Sequence, residues 1–323
     1  MTRSPLPHST VRWGLVGAGD VCERKSGPPL YQLPGHRLLA LTRRDAAKGA
    51  DFARRHAGKF VPDLKDLLEI PEINAVYIAT PPGVHAAQTI AAAEAGKHVL
   101  VEKPMAMHTR ECREMVAACK ANGVDLAVAY YRRGYPSILA ARTWVEQDRI
   151  GELREIWLND QFPPSHRLDL VHFFAGELDR VRTETVEKGL VLHAVSHSGS
   201  ALRMNLGWKE QPGAPEQVKL TGTKGSILID DLKGGSAIVT TPSGTDPVKF
   251  PPLPWTHWGL IENFGHAIAG RVPHACSGEE GLKSTTVLDI VSALEPDSPF
   301  APVDYANPPV PDSSRSGKLN LLG

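Results

Sequence analysis

The sequence predicts an α/β fold: a doubly wound parallel sheet in the N-terminal part, followed by an α+β domain with an open, mainly antiparallel sheet. Residues 11–130 alternate short β-rich runs with helical stretches, which is typical of a parallel α/β sheet. The second half has many short β-type segments and few helices, which favours one open antiparallel sheet. A chain of 323 residues also exceeds the roughly 150 residues of a typical domain, so two domains are expected.

The first half provides strands that alternate with capped helices. Asp45 and Thr109 are expected to cap the starts of two helices, because a short polar side chain accepts a hydrogen bond from the first helical turn. Gly96 is expected to end the alanine-rich helix before it, because glycine adopts the left-handed conformation that helix ends require. The predicted strands are Val11–Val16, Leu38–Thr42, Ala75–Ala79, His98–Val101 and Asp125–Ala129.

The second half consists mainly of strand-like segments separated by turn signals. These segments are Leu153–Asn159, Val181–Val186, Leu190–Ser196, Val218–Leu220, Ser226–Asp230 and Ala237–Thr241. Helices are predicted at Pro136–Gln147, His257–Ala269 and Glu279–Ser292, and the last two are expected to return to pack on the first domain.

The predicted organisation is a loose tail over residues 1–10, a first domain over 11–130 and a second domain over 131–323. Lys plus Arg and Asp plus Glu are equal at 36 each, so no net charge indicates a nucleic-acid or membrane partner. No apolar run approaches the ~20 residues that span a bilayer, and no secretory signal is expected. The four cysteines include no C-x-x-C pair, which favours reduced thiols in a cytoplasmic protein.

A glycine-rich turn, GAGDVC at residues 17–22, follows the first predicted strand. In a G-x-G-x-x-G/A motif the first glycine makes a tight turn, the second lets the backbone approach a pyrophosphate, and the third position needs a small residue. Gly17, Gly19 and Cys22 fill these places before a helix N-terminus, whose amides favour phosphate. A purely structural turn is the alternative, but the strand–helix units that follow favour a Rossmann domain that binds a nicotinamide dinucleotide. The expected contact residues are Gly17, Ala18, Gly19, Asp20 and Val21.

The end of the second strand bears on the choice between NAD and NADP. An acidic residue there would bind the ribose hydroxyls of NAD, whereas an arginine accommodates the 2′-phosphate of NADP. Thr42 occupies the usual acidic position, and Arg43 and Arg44 follow it. Because the planar guanidinium suits phosphate, NADP is the expected cofactor, with NAD as the alternative. The two arginines could instead be a solvated entrance to the next helix.

Several motifs match one family along most of the chain, up to about Glu295. They are ATPPGVH at Ala79–His85, AGKHVLVEKP at Ala95–Pro104, AYYRR at Ala129–Arg133, GEL at Gly151–Leu153 and GTKGS at Gly222–Ser226. With these motifs the chain resembles the Gfo/Idh/MocA oxidoreductases, which include glucose-fructose oxidoreductase, inositol dehydrogenase and dihydrodiol dehydrogenases. The Glu-Lys-Pro triplet is the most specific of these motifs.

The resemblance implies that Lys103 lies close to both the nicotinamide and a substrate hydroxyl. An ammonium there would stabilise the alkoxide charge that develops during hydride transfer, and desolvation would lower its pKa. Its location at the carboxyl edge of a parallel strand favours this role over that of an exposed lysine. The implied cofactor residues are Thr80, Pro81, Pro82, His85, Glu102 and Lys103, and the implied substrate residues include Tyr131 and Arg132.

The family's second motif, D-x-G-x-H-x-x-D, is only partly matched. His166 and Asp169 fall in register with its histidine and later aspartate, so the resemblance implies an acid/base role for His166 and substrate binding by Asp169. Phe162 stands where the first aspartate is expected, and Asp160 is a candidate replacement. A structural role for His166 at a helix N-terminus is the alternative. The short connection before it is either a genuine deletion or lacks a loop between Gln161 and Ser165.

The expected protein is an oxidoreductase that transfers hydride between NADP and a secondary alcohol or carbonyl of a sugar or polyol. The alternative is a cofactor-binding sensor or regulatory protein on the same fold. No metal is expected, because the other histidines lack an acidic cluster and hydride transfer needs no metal. A homodimer or homotetramer is expected, because the family commonly covers the open sheet with a second subunit.

Overall fold

The computed structural model describes residues 10–159, 162–187, 189–206 and 214–309. The described chain forms two compact units: one within Met1–Gly134 and Pro254–Leu282, the other within Tyr135–Leu253 and Lys283–Gly323. The segment Pro254–Leu282 thus belongs with the N-terminal unit. The predicted N-terminal tail lies almost wholly outside the described residues, and the predicted domain bounds stay predictions.

The N-terminal unit is built on a six-stranded parallel sheet in the order β3-β2-β1-β4-β5-β6. This is the strand order of a doubly wound dinucleotide-binding sheet, which confirms the predicted fold of this half. The two-residue β3 was not predicted. The strands are β1 (Val11–Val16), β2 (His36–Thr42), β3 (Lys59–Phe60), β4 (Ala75–Ile78), β5 (His98–Val101) and β6 (Leu126–Val128).

Two of the helices between these strands begin or end at predicted residues, and two short helices were not predicted. The Asp45 carboxylate accepts a hydrogen bond from the Lys48 amide, and Gly96 has φ 72°, so both predicted helix ends are confirmed. The predicted cap at Thr109 is wrong: Thr109 is already helical, and the extended residue before it is His108. The helices are α1 (Pro29–Gln32), α2 (Ala46–Arg55), α3 (Leu64–Leu68), α4 (His85–Glu94) and α5 (Thr109–Ala121).

The C-terminal unit is a nine-stranded sheet in the order β14-β13-β12-β11-β7-β10-β9-β8-β15. Every pair is antiparallel except β7 with β10, which confirms the predicted open, mainly antiparallel sheet. Helices α6 (Pro136–Glu146) and α7 (Pro164–Ala175) contact strands of this sheet. The strands are β7 (Leu153–Leu158), β8 (Leu178–Val186), β9 (Gly189–Ser196), β10 (Ala201–Asn205), β11 (Val218–Gly222), β12 (Ser226–Ile229), β13 (Ser236–Thr241), β14 (Gly244–Lys249) and β15 (Ala301–Pro302).

Two further helices follow the second sheet, α8 (Trp258–Ile268) and α9 (Gly278–Ala293). Helix α8 packs on the parallel sheet, with the Phe264 ring 5.1 Å from that of Trp13, both fully buried. The burial of each such side chain contributes about 1.5–3 kcal/mol to stability. Packing of this late helix on the first sheet agrees with the sequence-based expectation.

Candidate functional site

A cleft of about 480 Å³ lies at the carboxyl ends of β1, β2 and β4 in the N-terminal unit. Strand order reverses between β1 and β4, and open α/β sheets bind ligands at such switch points. The cleft therefore lies where the fold predicts a dinucleotide. Its lining residues are Val16, Gly17, Gly19, Thr42, Arg43, Arg44, Pro62, Leu64, Ala79, Thr80, Pro81, Val84 and Gln88.

The two positions in the turn after β1 are glycines for different physical reasons. Gly17 has φ 86°, and a Cβ added to it would lie 2.7 Å from both the Ala79 carbonyl oxygen and the Thr80 Cγ2 atom. A Cβ on Gly19 would meet no atom nearer than 3.9 Å, so space beside its backbone is open. Gly17 is thus required by the fold, whereas Gly19 leaves room for a close-approaching phosphate.

Two of the other residues of the glycine segment, Ala18 and Cys22, are packed in the protein core. Ala18 is fully buried, and Asp20 is exposed in an ion pair with Arg24 at 3.1 Å. Cys22 is fully buried, and burial raises the pKa of its thiol to about 12, so it remains a neutral packing group. The chain from Cys22 to Ser26 is a short π-helix, in place of the long α-helix that the motif normally opens.

The residues after β2 form one wall of the cleft. The Thr42 hydroxyl donates to the Pro62 carbonyl at 3.2 Å and is almost fully buried. The Arg43 guanidinium donates to the Ala18 carbonyl at 2.6 Å, which holds this side chain against the glycine turn. Arg44 is exposed and also lines the cleft. Both arginines therefore lie where the sequence expected them, at the edge of the cleft.

The turn after β4 forms the opposite wall. Thr80 donates its hydroxyl hydrogen to the Gln88 side-chain oxygen at 2.6 Å, and Pro81 and Gln88 line the cleft, with Pro82 next along the chain. His85 is fully buried, with ring nitrogens 2.8 Å from the Thr80 carbonyl oxygen and 3.0 Å from that of Pro104. His85 thus links the two turns, and its expected contact with the cofactor stays a prediction. Gln88 was missed by sequence reasoning, since no motif marks it.

Glu102 lies at the end of β5 within a buried hydrogen-bond network. Its Oε1 atom accepts hydrogen bonds from the Tyr77 hydroxyl at 2.5 Å and from His257 Nε2 at 3.0 Å. Its Oε2 atom accepts from the Lys103 backbone amide at 3.1 Å. Tyr77 and His257 were not predicted as site residues, because β4 and the residue before α8 meet only in the tertiary structure.

The two charged residues of the Glu-Lys-Pro triplet have opposing surroundings. Burial alone would raise the pKa of Glu102, but the hydrogen bond and charge of His257, the Tyr77 hydroxyl and Lys103 outweigh it and lower the pKa to about 2. Burial lowers the pKa of Lys103, and the Glu102 carboxylate counteracts that shift. The site therefore combines a fixed anion with a half-buried lysine whose ammonium is easier to deprotonate than usual.

The aromatic and basic residues after β6 lie beside this network. The Tyr131 ring centroid is 4.4 Å from that of His257, and the Arg132 guanidinium carbon lies 4.8 Å from the Tyr131 ring centroid. Arg132 is almost fully buried, and its charge also contributes to lowering the Lys103 pKa. Tyr131 and Arg132 are thus brought together with the Glu102 network within one unit.

The second-motif residues belong to the C-terminal unit. His166 and Asp169 lie in the first two turns of α7, both buried, and Phe162 is buried just before the helix. Asp160, the candidate replacement carboxylate, lies outside the described residues. Strand β7 ends at Leu158 and α7 begins at Pro164, so the connection between them is short in this chain.

Two kinds of feature are absent from the part of the chain that the structure describes. No helix there is long and apolar enough to cross a membrane. Among the same residues, no group of three or more His, Cys, Asp or Glu side chains is arranged to hold a metal ion.

Comparison with known proteins agrees with these features. Residues 11–130 match the family GFO_IDH_MocA, described as an oxidoreductase family with an NAD-binding Rossmann fold. The 1,5-anhydro-D-fructose reductase of Ensifer adhaerens is 32% identical over 228 residues, which cover 69% of this chain and 65% of that protein. The chain spans about half the length of several other curated relatives that it matches.

Solved structures share the fold across both units. One is the WlbA dehydrogenase from Bordetella pertussis in complex with NADH and UDP-GlcNAcA, with 21% identity and TM-score 0.74 over 88% of this chain and 95% of that one. Another is KijD10, a 3-ketoreductase from Actinomadura kijaniata with TDP-benzene and NADP, with 18% identity and TM-score 0.75 over 88% and 98% of the two chains. Residues 11–130 therefore match the NAD-binding Rossmann domain of the Gfo/Idh/MocA oxidoreductase family, the family that the motifs predicted.

Proposed function

We propose that this protein transfers hydride between a nicotinamide dinucleotide and a secondary alcohol or carbonyl of a sugar, polyol or related small molecule. The observation that carries the proposal is the half-buried Lys103, which follows β5 on the same sheet edge as the glycine-turn cleft. A lysine with a lowered pKa next to a dinucleotide cleft can manage the charge and proton of a reacting oxygen. The names of the relatives, sugar reductases and dehydrogenases among them, support the substrate class.

The residues present fit a dinucleotide. Open space beside the Gly19 backbone admits a pyrophosphate, and Gly17 holds the tight turn beneath it. Thr80 and Pro81 form the wall opposite Arg43. When bound, the nicotinamide would supply or accept the hydride.

Lys103 would act on the substrate oxygen. In the direction of carbonyl reduction, its ammonium donates a hydrogen bond to the oxygen and then a proton to the developing alkoxide. In the direction of alcohol oxidation, the neutral amine accepts the hydroxyl proton. Burial favours the neutral amine and the Glu102 carboxylate favours the ammonium, and the net effect is a lowered Lys103 pKa that makes the ammonium easier to deprotonate.

We further propose that NADP is preferred over NAD. Thr42 has no carboxylate for the ribose hydroxyls, and its own hydroxyl is bonded to Pro62. Arg43 is held at the cleft wall and Arg44 is exposed beside it, so two guanidiniums are available to a 2′-phosphate. From the family motifs we propose an acid/base role for His166 and substrate contact for Tyr131, Arg132 and Asp169. A cytoplasmic location stays a prediction.

Steady-state turnover of NADPH and NADH with a panel of ketoses, polyols and dicarbonyls tests the proposal. We expect turnover of at least one substrate, and we expect Lys103→Ala to abolish it while cofactor affinity, measured by nicotinamide fluorescence, changes by less than about threefold. Lys120→Ala, an exposed lysine at the end of α5, is the matched control. An unchanged rate in Lys103→Ala would refute the role of Lys103.

A second candidate is a cofactor-binding sensor or regulatory protein on the same fold. The buried Phe162 in the place of the motif's first aspartate, together with the short connection before α7, favours it. Tight cofactor binding with no turnover of any substrate would support this candidate against the enzyme.

We also propose that the C-terminal sheet pairs with a second copy of this chain. Helices α6 and α7 cover one face of the sheet, through contacts to β13 and β7. On the other face, the register aligns Trp157, Lys219, Leu228 and Ile238 across four adjacent strands. Trp157 is 41% exposed, and this row is apolar except for Lys219, which is the kind of surface that a subunit contact covers.

A further inference from the structure

The hydrogen-bond network around Glu102 joins three separate parts of the N-terminal unit. Tyr77 comes from the middle of β4, Glu102 follows β5, and His257 immediately precedes α8. Tyr77 and His257 are at most 1% exposed, and Glu102 is 7% exposed. A buried carboxylate is strongly destabilising unless donors satisfy it, so three side chains from distant positions have to be placed together.

The network provides three donors for the one carboxylate. The Tyr77 hydroxyl and His257 Nε2 both donate to Oε1, and the Lys103 amide donates to Oε2. Hydrogen bonds to an ionised group are about twice as strong as neutral ones. Glu102 is consequently held as an anion in one orientation. One of the bonds that hold it comes from the backbone amide of Lys103, the residue proposed to act on the substrate.

This arrangement acts on Lys103 in two ways. The Oε2 bond fixes the backbone from which the lysine side chain extends, and the carboxylate's charge favours the ammonium form. The other charged groups that affect Lys103 are Arg132 and Lys25, both of which favour the neutral amine. Glu102 therefore supplies a negative charge that opposes, and partly compensates, the effect of the two cations and of burial on the Lys103 pKa.

Since this inference deepens the proposed function, it rests on that function: we propose that Tyr77 and His257 are positioning residues for Lys103, acting through the Glu102 carboxylate. His257 keeps the carboxylate ionised and oriented, and Tyr77 holds it from the opposite strand. Neither residue is proposed to touch substrate. Besides these two residues, Lys103 acts on the carboxylate, and the charge of the carboxylate in turn contributes to the raised pKa of the Cys22 thiol.

The test measures the titration of Lys103 directly, by NMR of protein with ¹³C-labelled lysine, with the Lys103 signal assigned through Lys103→Arg. This readout requires no turnover. In Glu102→Gln the carboxylate is lost, so the ammonium loses its partner and we expect Lys103 to deprotonate at lower pH. In His257→Phe and Tyr77→Phe a donor is lost and the carboxylate is no longer held in its orientation toward Lys103. We therefore expect the Lys103 titration to move the same way by a smaller amount.

Two further variants separate positioning from simple structural support. His257→Gln keeps an N–H donor without an ionisable ring, so we expect its Lys103 titration to stay close to that of the wild type, without most of the shift seen in His257→Phe. His274→Phe, which removes another histidine of the same unit that pairs with Asp125, is expected to leave the Lys103 titration unchanged. Thermal unfolding identifies any variant that fails to fold. If a Phe variant fails, the test is made with Glu102→Gln and His257→Gln.

Turnover supplies an independent comparison. We expect His257→Phe to lower kcat roughly ten- to hundredfold, because the variant loses a hydrogen bond to a charged group. The alkaline limb of its pH profile should also shift to lower pH. An unmoved Lys103 titration in Glu102→Gln and His257→Phe overturns the inference, whatever the rate. A moved titration in a protein without turnover overturns the proposed function and leaves the positioning role supported.

Discussion

Single atoms at the glycine turn determine which residues the cleft tolerates. Gly17 is constrained twice, by its positive φ and by the Ala79 carbonyl oxygen where a Cβ would stand. Gly19 has neither constraint from the protein. The motif predicts a tight turn at the first glycine and a close-approaching phosphate at the second, and the contacts at the two positions agree with that distinction.

Gly17→Ala and Gly19→Ala should therefore behave differently. We expect Gly17→Ala to lower the free energy of unfolding by about 1–3 kcal/mol, because the side chain is forced into a strained conformation. Gly19→Ala should leave stability nearly unchanged but weaken dinucleotide binding at least tenfold, because its methyl group fills the space beside the backbone. Chemical denaturation and nicotinamide fluorescence measure the two effects. Wild-type cofactor affinity in Gly19→Ala would contradict this assignment.

The proposed NADP preference depends on the two guanidiniums after β2. We expect the double variant Arg43→Ala, Arg44→Ala to raise KM for NADPH at least tenfold while KM for NADH changes by less than about threefold. Loss of a charged partner for the 2′-phosphate is the reason. Arg54→Ala, an exposed arginine on α2, is the matched control. Equal changes for both cofactors would mean that the arginines form only a solvated helix entrance.

At the scale of elements, α8 reaches its place through a glycine–glycine contact. A Cβ on Gly259 would lie 2.2 Å from the Gly134 carbonyl oxygen, and a Cβ on Gly134 would lie 2.5 Å from the Leu260 nitrogen. The backbone after β6 and the start of α8 therefore touch directly. This contact also sets the position of His257, two residues before Gly259.

Gly259→Ala should separate these two segments. We expect a loss of about 1–3 kcal/mol in stability from overpacking, together with a Lys103 titration that resembles that of His257→Phe. Gly83→Ala provides the control, since no atom lies within 4 Å of its Cβ position. Chemical denaturation compares the two variants. Equal stability of both would rule out a tight contact at Gly259.

A second element-level contact ties β5, β6 and the segment after α8 together. Asp125 lies 3.2 Å from His98 Nδ1 and 3.8 Å from His274 Nε2. Burial would raise the Asp125 pKa, but the hydrogen bonds and charges of the two histidines outweigh it and hold the pKa well below its usual range. The stabilisation is thus present above the unfolded-state pKa of Asp, about 4, and is lost as the pH falls through the lower folded-state pKa.

Asp125→Asn should therefore destabilise the protein most at neutral pH. We expect the difference in unfolding free energy between wild type and Asp125→Asn to narrow steadily as the pH falls below about 4. Urea denaturation between pH 7 and pH 3 measures it, with Asp246→Asn as an exposed control. A difference that stays constant over this range would show that the ionised form of Asp125 contributes nothing to stability.

At the scale of the whole molecule, the proposed second copy depends on the outer face of the large sheet. Trp157→Lys places a charge beside Lys219 in the middle of that face, and we expect it to shift the assembly toward monomer in sedimentation velocity. Leu139→Lys changes another exposed apolar residue, on α6, and should leave the assembly unchanged. A monomeric wild-type protein would refute this interface.

Local sequence pattern predicted most of the elements that build the first sheet. Buried parallel strands such as Val11–Val16 read as continuous apolar runs, and Asp45 and Gly96 marked helix ends by mechanisms confined to one turn. Strand β14 was not predicted, because its exposed sequence GTDPVK includes a glycine and a proline. Helix α7 gave no amphipathic signal, because it is buried on nearly all sides.

The sequence by itself determined the Rossmann half, its family motifs and the position of Lys103, because each rests on residues that are close together in the chain. The tertiary structure decided the surroundings of Lys103. Tyr77 and His257 are 180 residues apart and meet at one carboxylate only after the sheet and α8 have packed. No local motif records such a contact, because burial and hydrogen bonding between distant segments depend on the packed fold.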